Sequence, residues 1–279
     1  MNLWCIGYPI HLYFFVMMRK MIVTGSEGFI GKALCQELAK RNVEVIGIDR
    51  KNGTEASKVC ELLKYGDIDC VFHLAAQTSV FNENLEQIRK DNIDTFMSVA
   101  NACNLYRVKL VYASSSTANP VNTTSMYGIS KHFDEQYASV YCKTATGCRL
   151  HNVYSPNPRE RTLLWFLLNE ERVSLYNCGQ NIRSFTYMDD AVEGLIYAIG
   201  CNRQLINICN VQPVTTMYFA TLVKYYKSLE IELINEKRDF DNLEQSVNRD
   251  IYLVPLSYTS VEDGVKKIFD ERKGKDISY

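Results

Sequence analysis

Short, wholly apolar runs alternate along this chain with longer stretches in which apolar residues recur every three or four positions. The apolar runs predict buried strands, at residues 21–23, 43–48, 69–76 and 109–113. The recurring pattern predicts helices with one buried face, at residues 30–38, 54–65, 84–105 and 127–141. In the third of these helices, Ile93, Phe96, Ala100 and Cys103 are expected to face the core. The alternation predicts an α/β fold built on a doubly wound parallel sheet with right-handed crossovers.

Two further helices are predicted in the C-terminal part of the chain, at residues 215–227 and 259–269. The second is expected to begin with a capping box formed by Thr259 and Glu262. It would bury Val261, Val265 and Ile268 on one face.

The first residues of the chain are strongly apolar. Residues 3–18 form a run that ends at Arg19 and Lys20, but it is shorter than the roughly 20 residues that a spanning helix needs. Pro9 and His11 interrupt it. The positive charges follow the apolar part, whereas a secretory signal places them before it. We expect residues 1–17 to be an extension outside the core, and a peripheral contact with a membrane or a partner stays open.

Composition narrows the functional classes. A chain of 279 residues with 47% hydrophobic content can hold one large α/β domain and a smaller appendage. The formal net charge of -1 gives no basic field, which disfavours nucleic acid or an anionic membrane as a partner. The ten cysteines are scattered singly, so neither a disulfide framework nor a metal site is indicated. We expect a cytoplasmic protein whose cysteines, such as Cys35, Cys70, Cys103 and Cys209, are small core residues.

The turn from Thr24 to Gly31 carries the first chemical signal. Gly25, Gly28 and Gly31 follow one predicted strand directly and lead into a predicted helix. Glycine allows a tight turn and a close approach of backbone to pyrophosphate, and a helix N-terminus favours negative charge. Strand, glycine turn and helix in this order predict a dinucleotide site. The alternative is a tight turn that binds nothing.

Asp49 adds to this signal at the end of the second predicted strand. An acid about 20 residues beyond the glycine turn is placed to accept hydrogen bonds from the adenosine ribose hydroxyls. It favours NAD, because a carboxylate would repel the 2'-phosphate of NADP. Arg50 beside it could pair with that phosphate, so NADP remains an alternative. At the end of the third strand, Ala75 and Ala76 are small enough for a cofactor to lie close.

Three polar side chains follow the fourth predicted strand. Ser116 ends a run of three serines, and Tyr127 and Lys131 lie four residues apart on one face of the next helix. A phenol normally ionises near a pH of about 10, but a neighbouring ammonium and an oxidised nicotinamide both favour the phenolate. We therefore predict Ser116, Tyr127 and Lys131 as a catalytic group, with an exposed helix start as the alternative. His73, in the middle of a strand, is expected to be a core residue.

These motifs occur in an order that resembles the extended short-chain dehydrogenase/reductases, specifically the NAD-dependent nucleotide-sugar epimerases and dehydratases. The resemblance covers roughly residues 19–199. It is carried by TGSEGFIG at 24–31, FHLAA at 72–76, Asn92, the serine strand and YGISK at 127–131. RLHNVYSP at 149–156 is similar to the family segment that lines the sugar nucleotide. LYNCGQNIRSFTYMDD at 175–190 resembles the segment whose arginine binds the diphosphate.

The resemblance implies two sets of binding residues. Those implied for the cofactor are Gly25, Gly28, Phe29, Ile30, Gly31, Asp49, Arg50, Leu74, Ala75, Ala76, Asn92, Ser114, Tyr127 and Lys131. Those implied for the substrate are Gln77, Ser115, Ser116, Asn152 and Arg183, the last on the diphosphate.

The resemblance also implies how the chain is divided. An NAD-binding Rossmann domain would comprise residues 18–152 and 183–207. A small C-terminal substrate-binding lobe would comprise residues 153–182 and 208–279. A homodimer would form through the helices at 84–105 and 131–141.

Within the family, the motifs look most like those of UDP-glucuronate 4-epimerases, with UDP-galactose 4-epimerases next. They imply an NAD-dependent 4-epimerase that acts on a UDP-hexose or a UDP-uronate through a transient 4-keto intermediate. Resemblance to the dehydratases would require Asp-Glu directly after Ser116, where Thr117 and Ala118 stand. The alternatives are an NAD(P)H-dependent 4-ketoreductase of nucleotide-deoxysugars and a non-catalytic nucleotide-binding scaffold.

The chain also departs from the family pattern. Residues 50–69 are too few for the usual third strand, and residues 117–126 are abbreviated. Ser155 stands where a glycine is expected. Arg238 and Arg249 are candidates for a second phosphate-binding arginine, but each is expected to be an ordinary solvated charge.

Overall fold

The computed structural model describes residues 19–80, 82, 84–238 and 242–276, so the predicted extension at 1–17 lies outside the described residues. In the described part of the chain, no helix is both long and apolar enough to cross a membrane. The strands are β1 (Lys20–Thr24), β2 (Glu44–Ile48), β3 (Cys70–His73), β4 (Lys109–Ser115), β5 (Ala145–Leu150), β6 (Val153–Tyr154), β7 (Arg172–Tyr176), β8 (Ile182–Arg183), β9 (Thr186–Tyr187), β10 (Leu205–Ile208), β11 (Val214–Thr215), β12 (Glu230–Ile234) and β13 (Tyr252–Leu253). The α-helices are α1 (Phe29–Lys40), α2 (Val59–Tyr65), α3 (Leu85–Ile88), α4 (Thr95–Tyr106), α5 (Met126–Tyr141), α6 (Leu163–Asn169), α7 (Met188–Tyr197), α8 (Thr216–Tyr226) and α9 (Val261–Asp276).

Seven strands form one sheet in the order β13-β10-β5-β4-β3-β1-β2. Every neighbouring pair in this sheet is parallel. The chain runs from β1 to β2 on one side and from β3 through β4 to β5 on the other, so the strand order reverses between β1 and β3. In open parallel sheets, ligands bind at the carboxyl ends of the strands next to such a point. The predicted α/β fold with a doubly wound parallel sheet is confirmed.

Helices cover both faces of the sheet. Leu34 of α1 and Leu195 of α7 are buried against one face. Leu63 of α2 and Phe96 of α4 are buried against the other. The central strands are therefore enclosed on both sides, which explains why their sequences are continuous apolar runs rather than alternating ones.

A third apolar cluster lies between α6, α8 and α9. Leu167, Phe219 and Val265 are fully buried in it, one from each helix. Three short strand pairs accompany it: β7 with β12 and β6 with β9, which are parallel, and β8 with β11, which is antiparallel. The helices predicted in this region are present, and the predicted burial of Val261, Val265 and Ile268 is confirmed. The division into two domains at the predicted boundaries stays a prediction.

The sheet ends at β2 on one side. Residues 50–69, which connect β2 to β3, form two short 3-10 turns and α2. Within the described residues no strand pairs with the outer side of β2. The prediction that this stretch is too short for a further strand is therefore confirmed, and β2 is an edge strand.

The long helix predicted at 84–105 contains a change of helical pitch. A π-helical segment from Arg89 to Asp94 separates α3 from α4. A π turn takes up more residues than an α turn and so shifts the phase of the helix after it. Ile88, Asn92 and Phe96, which are spaced by four residues across this segment, face the interior. Ile93, which was expected to face the core, is only half-buried.

The cap of α9 lies one residue later than predicted. The Ser260 hydroxyl accepts a hydrogen bond from the Asp263 N–H (3.0 Å) and donates to the Asp263 carboxylate (2.7 Å). Thr259 instead bonds to Asp190, and the Glu262 carboxylate accepts from the Tyr218 hydroxyl. The predicted capping box of Thr259 and Glu262 is therefore wrong, because both residues have partners elsewhere in the fold.

Candidate active site

The turn between β1 and α1 is shaped by its glycines. Gly25 has a φ of +73°, and a Cβ there would lie 2.7 Å from the Ala75 backbone nitrogen. A Cβ at Gly31 would lie 2.0 Å from the Gly25 carbonyl oxygen. No side chain of the described residues caps α1 at Gly28. The N–H groups of its first turn are therefore available to an anion such as a pyrophosphate.

A cavity extends from this turn over the end of β2, and we call it the β2-end cavity. Asp49, Arg50 and Asp91 are among its lining residues. The Asp49 carboxylate accepts hydrogen bonds from the backbone N–H groups of Glu27 (3.1 Å) and Lys51 (3.0 Å). These bonds hold the carboxylate in one orientation beside the glycine turn.

Arg50 is paired with two acids in the same cavity. Its guanidinium lies 2.6 Å from the Asp91 carboxylate and 3.0 Å from that of Glu55. The hydrogen bond to Asp91, followed by that to Glu55, raises the pKa of Arg50 above its usual value. Because both acids compensate its charge, Arg50 offers less to a 2'-phosphate than its position in the sequence indicates.

A cavity of about 570 Å³, which we call the central cavity, opens on the other side of the glycine turn. Ser116, just after β4, and Tyr127 and Lys131, in the first turns of α5, line it together. The helix begins at this point because the Ser125 hydroxyl accepts a hydrogen bond from the Gly128 N–H (3.3 Å). The three side chains predicted as a catalytic group thus share one cavity with the glycine turn.

Lys131 is buried and paired. Its ammonium lies 3.0 Å from the Asp134 carboxylate, and the two side chains are only 2% and 0% exposed. Burial lowers the pKa of Lys131, but Asp134 and Tyr127 beside it raise it by more. Burial also raises the pKa of Asp134 to about 6 in spite of the lysine. The lysine is therefore a fixed, buried cation beside the phenol.

Gln245 is a residue of the central cavity that the sequence did not indicate. Its Oε1 accepts hydrogen bonds from Ser116 Oγ (3.3 Å) and from Asn152 Nδ2 (3.1 Å). It therefore links a predicted catalytic residue to a predicted substrate-binding residue.

The segment that carries Gln245 is anchored by an asparagine. Asn122 Nδ2 donates to the Ser246 carbonyl (2.8 Å), and the Ser246 N–H donates to Asn122 Oδ1 (3.0 Å). The abbreviated residues 117–126 are thus bridged by residues 242–246. This segment forms neither a helix nor a strand of any length, so periodicity gave no signal for it.

The two serines before Ser116 are engaged within the protein. Ser114 Oγ donates to the Glu135 carboxylate (2.5 Å), which also accepts two bonds from the Arg149 guanidinium (2.7 Å each). Ser115 Oγ lies 2.9 Å from Thr117 Oγ1. Both serines line the central cavity, but the hydroxyl of Ser114 is committed to a buried ion pair.

Asn92 organises the loop after β3. Its carboxamide accepts from the Gln77 N–H (2.7 Å), donates to the Gln77 carbonyl (3.0 Å) and donates to Ser130 Oγ (2.9 Å). Gln77 lines the β2-end cavity, not the central one. Gln77, predicted to contact substrate, therefore lies among the residues predicted for the cofactor.

A third cavity, here called the arginine-lined cavity, continues from the central cavity past Asn152. Arg183 and Arg238 line it together with Tyr176. The Arg183 guanidinium donates to backbone carbonyls, including that of Asn242 at 2.8 Å. The Arg238 guanidinium lies 3.5 Å from the centre of the Tyr176 ring. Arg238 is exposed, as expected of a solvated charge, but its guanidinium also stacks on a tyrosine and lines the same cavity as Arg183.

His73 is a buried core residue, as predicted. Its Nδ1 lies 2.8 Å from Thr24 Oγ1. Burial, and then the positive charge of Lys131, lowers the pKa of His73 to about 3. The imidazole is therefore neutral near neutral pH.

The three cavities form one groove along the carboxyl ends of the strands. The central cavity shares Gly25 and Gly28 with the β2-end cavity, and Asn152 and Phe185 with the arginine-lined cavity. A dinucleotide bound from Asp49 across the start of α1 would reach the central cavity from one side. A phosphorylated ligand held by the arginines would reach it from the other. The groove can therefore bring two elongated ligands together beside the phenol and the ammonium.

The sequence and the fold of this chain are similar to those of known proteins. Residues 21–209 match the NAD dependent epimerase/dehydratase family. Protein CapI of Staphylococcus aureus is 26% identical over 90% of this chain and 97% of its own length. UDP-glucuronate 4-epimerase 4 of Arabidopsis thaliana is 27% identical over 64% of this chain and 53% of its own. The solved structure of MoeE5 in complex with UDP-glucuronic acid and NAD has a TM-score of 0.77 at 21% identity, over 91% of this chain and 99% of that one, a likeness in fold.

Proposed function

The chain belongs to the NAD-dependent epimerase/dehydratase family, and we propose that it is an NAD-dependent nucleotide-sugar 4-epimerase that works through a transient 4-keto sugar. The observation that carries this proposal is the convergence of Ser116, Tyr127 and Lys131 in one cavity beside the glycine turn. The relative named as a UDP-glucuronate 4-epimerase supports the same activity.

The residues of the groove fit NAD. The uncapped first turn of α1 suits a pyrophosphate. The Asp49 oxygens, each bonded to one backbone N–H, can still accept from ribose hydroxyls. The pairing of Arg50 with Glu55 and Asp91 supports NAD over NADP. When bound, NAD supplies the acceptor, and then the donor, of the hydride.

The side chains of the central cavity transfer the proton of the C4 hydroxyl. The Tyr127 phenolate takes the proton of the C4 hydroxyl and later returns it. Ser116 holds that hydroxyl by a hydrogen bond, and the Lys131 ammonium stabilises the phenolate. Arg183 and Arg238 grip the diphosphate, because a planar guanidinium can bridge phosphate oxygens. With the nucleotide held, only the sugar turns over between the two hydride transfers.

The carboxylates near the cavity support an epimerase over a dehydratase. A dehydratase needs an acid beside the catalytic hydroxyl to protonate the leaving group. Among the described residues that line the central cavity, the carboxylate is Glu27, which lies on the glycine turn and pairs with Lys32 at 3.3 Å. Thr117, which follows Ser116, supplies only a hydroxyl.

The test uses purified protein and a panel of UDP-sugars. We expect a nicotinamide nucleotide to copurify and the two C4 epimers of one sugar to interconvert. Tyr127→Phe should lower kcat by about a hundredfold or more, because general base catalysis is lost. Tyr225→Phe, at an exposed tyrosine of α8, should leave the rate unchanged and is the matched control.

Three outcomes would contradict the proposal. A Tyr127→Phe protein with the parental rate would remove the phenol from the mechanism. Protein without bound nicotinamide that oxidises NADPH when given a 4-keto sugar would instead be a 4-ketoreductase. Stabilisation by NAD with no turnover of any UDP-sugar would point to a binding scaffold.

Arg159 supports a uronate as the sugar. Its guanidinium donates to Thr78 Oγ1 at 2.7 Å, and both side chains line the central cavity. A cation there suits the carboxylate of a UDP-uronate. Arg159→Gln should lower kcat/KM about thirtyfold for UDP-glucuronate and less than about threefold for UDP-glucose. Equal losses would contradict a uronate substrate, and Arg89→Gln, an exposed arginine paired with Asp94, is the control.

We also propose that two copies associate through α4 and α5. Ile129, Phe133 and Val140 form an exposed apolar stripe along α5. Tyr137 of the same helix donates to Asn101 of α4 at 2.8 Å, so the two helices present one surface. Exposed apolar patches of this kind mark interaction sites.

Light scattering after gel filtration tests the association. Phe133→Glu should yield monomers, because a charge would be buried at the interface. Tyr225→Glu, at a position that is 83% exposed on another helix, should leave the dimer intact. A monomeric parental protein would contradict the proposal.

A further inference from the structure

The buried ion pair of Lys131 and Asp134 lies on the same helix as Tyr127, the proposed general base. Tyr127, Lys131 and Asp134 lie at positions i, i+4 and i+7 of α5, which bring them to one face. Lys131 donates to Asp134 Oδ2 at 3.0 Å, and Asp134 is completely buried. Asp134 Oδ1 has no hydrogen-bond partner among the described residues. The lysine is therefore the group that compensates this carboxylate.

The other ionisable groups around the pair are accounted for. On α5, Glu135 is engaged by Arg149 of β5 and by Ser114 of β4, and His132 lies 4.0 Å from it. On β4, the negative charges of Glu135 and Asp134 add to burial in raising the pKa of Tyr112, which stays neutral. On β3, His73 is neutral because its pKa is lowered to about 3. The charges facing Asp134 are thus Lys131, which is free of other ion pairs among the described residues, and the compensated Glu135.

We propose that Asp134 is a positioning residue that holds the Lys131 ammonium and limits how much of its positive charge reaches the Tyr127 phenol. The inference rests on the proposed function, in which Tyr127 is the base. An ammonium beside a phenol favours the phenolate, and a carboxylate bonded to that ammonium opposes it. The ion pair therefore weakens the effect of the ammonium on the phenol, which has both to take the proton and to return it.

The pair also makes the restraint dependent on pH. The pKa of Asp134 is raised to about 6 by burial, so the carboxylate is charged at neutral pH and neutral under mildly acid conditions. When Asp134 is neutral, no carboxylate opposes the effect of the Lys131 ammonium on the phenol. Protonation of Asp134 and protonation of the phenol thus counteract each other, which broadens the acid side of the titration.

The experiment compares the parental protein with Asp134→Asn, which keeps an oxygen for Lys131 but removes the charge. The acid limb of kcat against pH should move to lower pH by about one unit. It should also become steeper, approaching the titration of one group. Well below pH 6, where the parental carboxylate is also neutral, the two profiles should converge. Profiles that differ by a constant factor at every pH would overturn the inference, because a structural defect would act in that way.

A second readout does not depend on turnover. The near-ultraviolet absorbance of the phenolate can be titrated in NAD-loaded protein, with Tyr127→Phe as the blank for the other tyrosines. Asp134→Asn should move the phenolate signal to lower pH by about one unit. If no UDP-sugar is converted, the proposed function fails while this titration still decides the inference. An unmoved phenolate signal would overturn the inference whether or not the enzyme is active.

Two further variants complete the test. Asp134→Ser replaces the carboxylate with a smaller neutral group and should give the same direction of shift if Asp134→Asn does not fold. Asp270→Asn removes one negative charge from the exposed side of α9 and should leave both profiles unmoved. A shift in Asp270→Asn equal to that in Asp134→Asn would overturn the inference in favour of a general change in net charge.

Discussion

Asp49 and Arg50 are neighbours in the chain but have opposite relations to the β2-end cavity. Asp49 is fixed by two backbone N–H groups and keeps acceptor capacity toward the cavity. Arg50 directs its charge to Glu55 and Asp91. Under the proposed function, we expect the preference for NAD over NADP to depend on Asp49 and on the carboxylates that surround Arg50.

Asp49→Asn should raise the affinity for NADP relative to NAD about tenfold, a change of about 1.4 kcal/mol, because it removes the charge that repels a 2'-phosphate. Adding Asp91→Asn should raise this ratio again, because it removes one of the two carboxylates that compensate the charge of Arg50. Equilibrium titration of both nucleotides measures the ratio. Asp94→Asn, an exposed acid paired with Arg89, is the control, and an unchanged ratio in Asp49→Asn would refute the role assigned to Asp49.

At this scale the sequence was informative where a role depends on neighbours in the chain. Tyr127 and Lys131 are one helical turn apart, and Ser116 follows a recognisable strand, so their shared cavity could be anticipated. Gln245 could not be, because tertiary bonds to Asn122 bring its irregular segment to the site. The stacking of Arg238 on Tyr176 could not be anticipated for the same reason, since Tyr176 lies far from Arg238 in the chain.

The π-helical segment is the element that ties the glycine side of the groove to α5. It turns Asn92 inward, and the carboxamide then bonds to both backbone groups of Gln77 and to Ser130. Periodicity predicted the helix but not this change of pitch, because a single inward asparagine resembles noise in an apolar pattern.

Asn92→Ala should lower the free energy of unfolding by about 2–3 kcal/mol, because it removes three hydrogen bonds of a fully buried carboxamide and leaves the partly buried backbone groups of Gln77 without these partners. It should also weaken NAD binding, since the loop after β3 lines the β2-end cavity. Asn101→Ala, on the next turns of the same helical stretch, removes one exposed bond to Tyr137 and should cost less than about 1 kcal/mol. Urea unfolding measures both, and equal losses would refute the argument.

For the whole molecule, the alternation of strands and helices predicted the sheet well, because each crossover is local and its hand is fixed. The sequence pattern placed the cap of α9 one residue too early because Thr259 and Glu262 form bonds with other elements.

Burial makes the stability of the whole fold depend on pH. His73 and His151 are both buried, so protonating either imidazole at acid pH places a positive charge in the interior and destabilises the fold.

Burial, aided by Arg149, lowers the pKa of His151 to about 4. A histidine with a depressed pKa contributes stability above its unfolded value near about 6.5, and that stability is lost as the pH falls toward the folded value. Between about pH 6 and pH 4.5, the parental protein should lose about 1.4 kcal/mol per pH unit more than His151→Asn. Urea midpoints against pH measure this difference. His132→Asn, at a partly exposed histidine, should behave like the parental protein, and parallel slopes for all three would refute the prediction.

The edge strand β2 affects how readily the protein can pair with other chains and aggregate. An uncovered outer strand offers a ladder that a foreign peptide or a second copy can extend. β2 is only five residues long, and its exposed Glu44 is held by Lys20 of β1 at 2.7 Å. A short strand with a charge at its start discourages such growth. We therefore expect that removing the charge of Glu44 would increase the tendency of the protein to aggregate through β2.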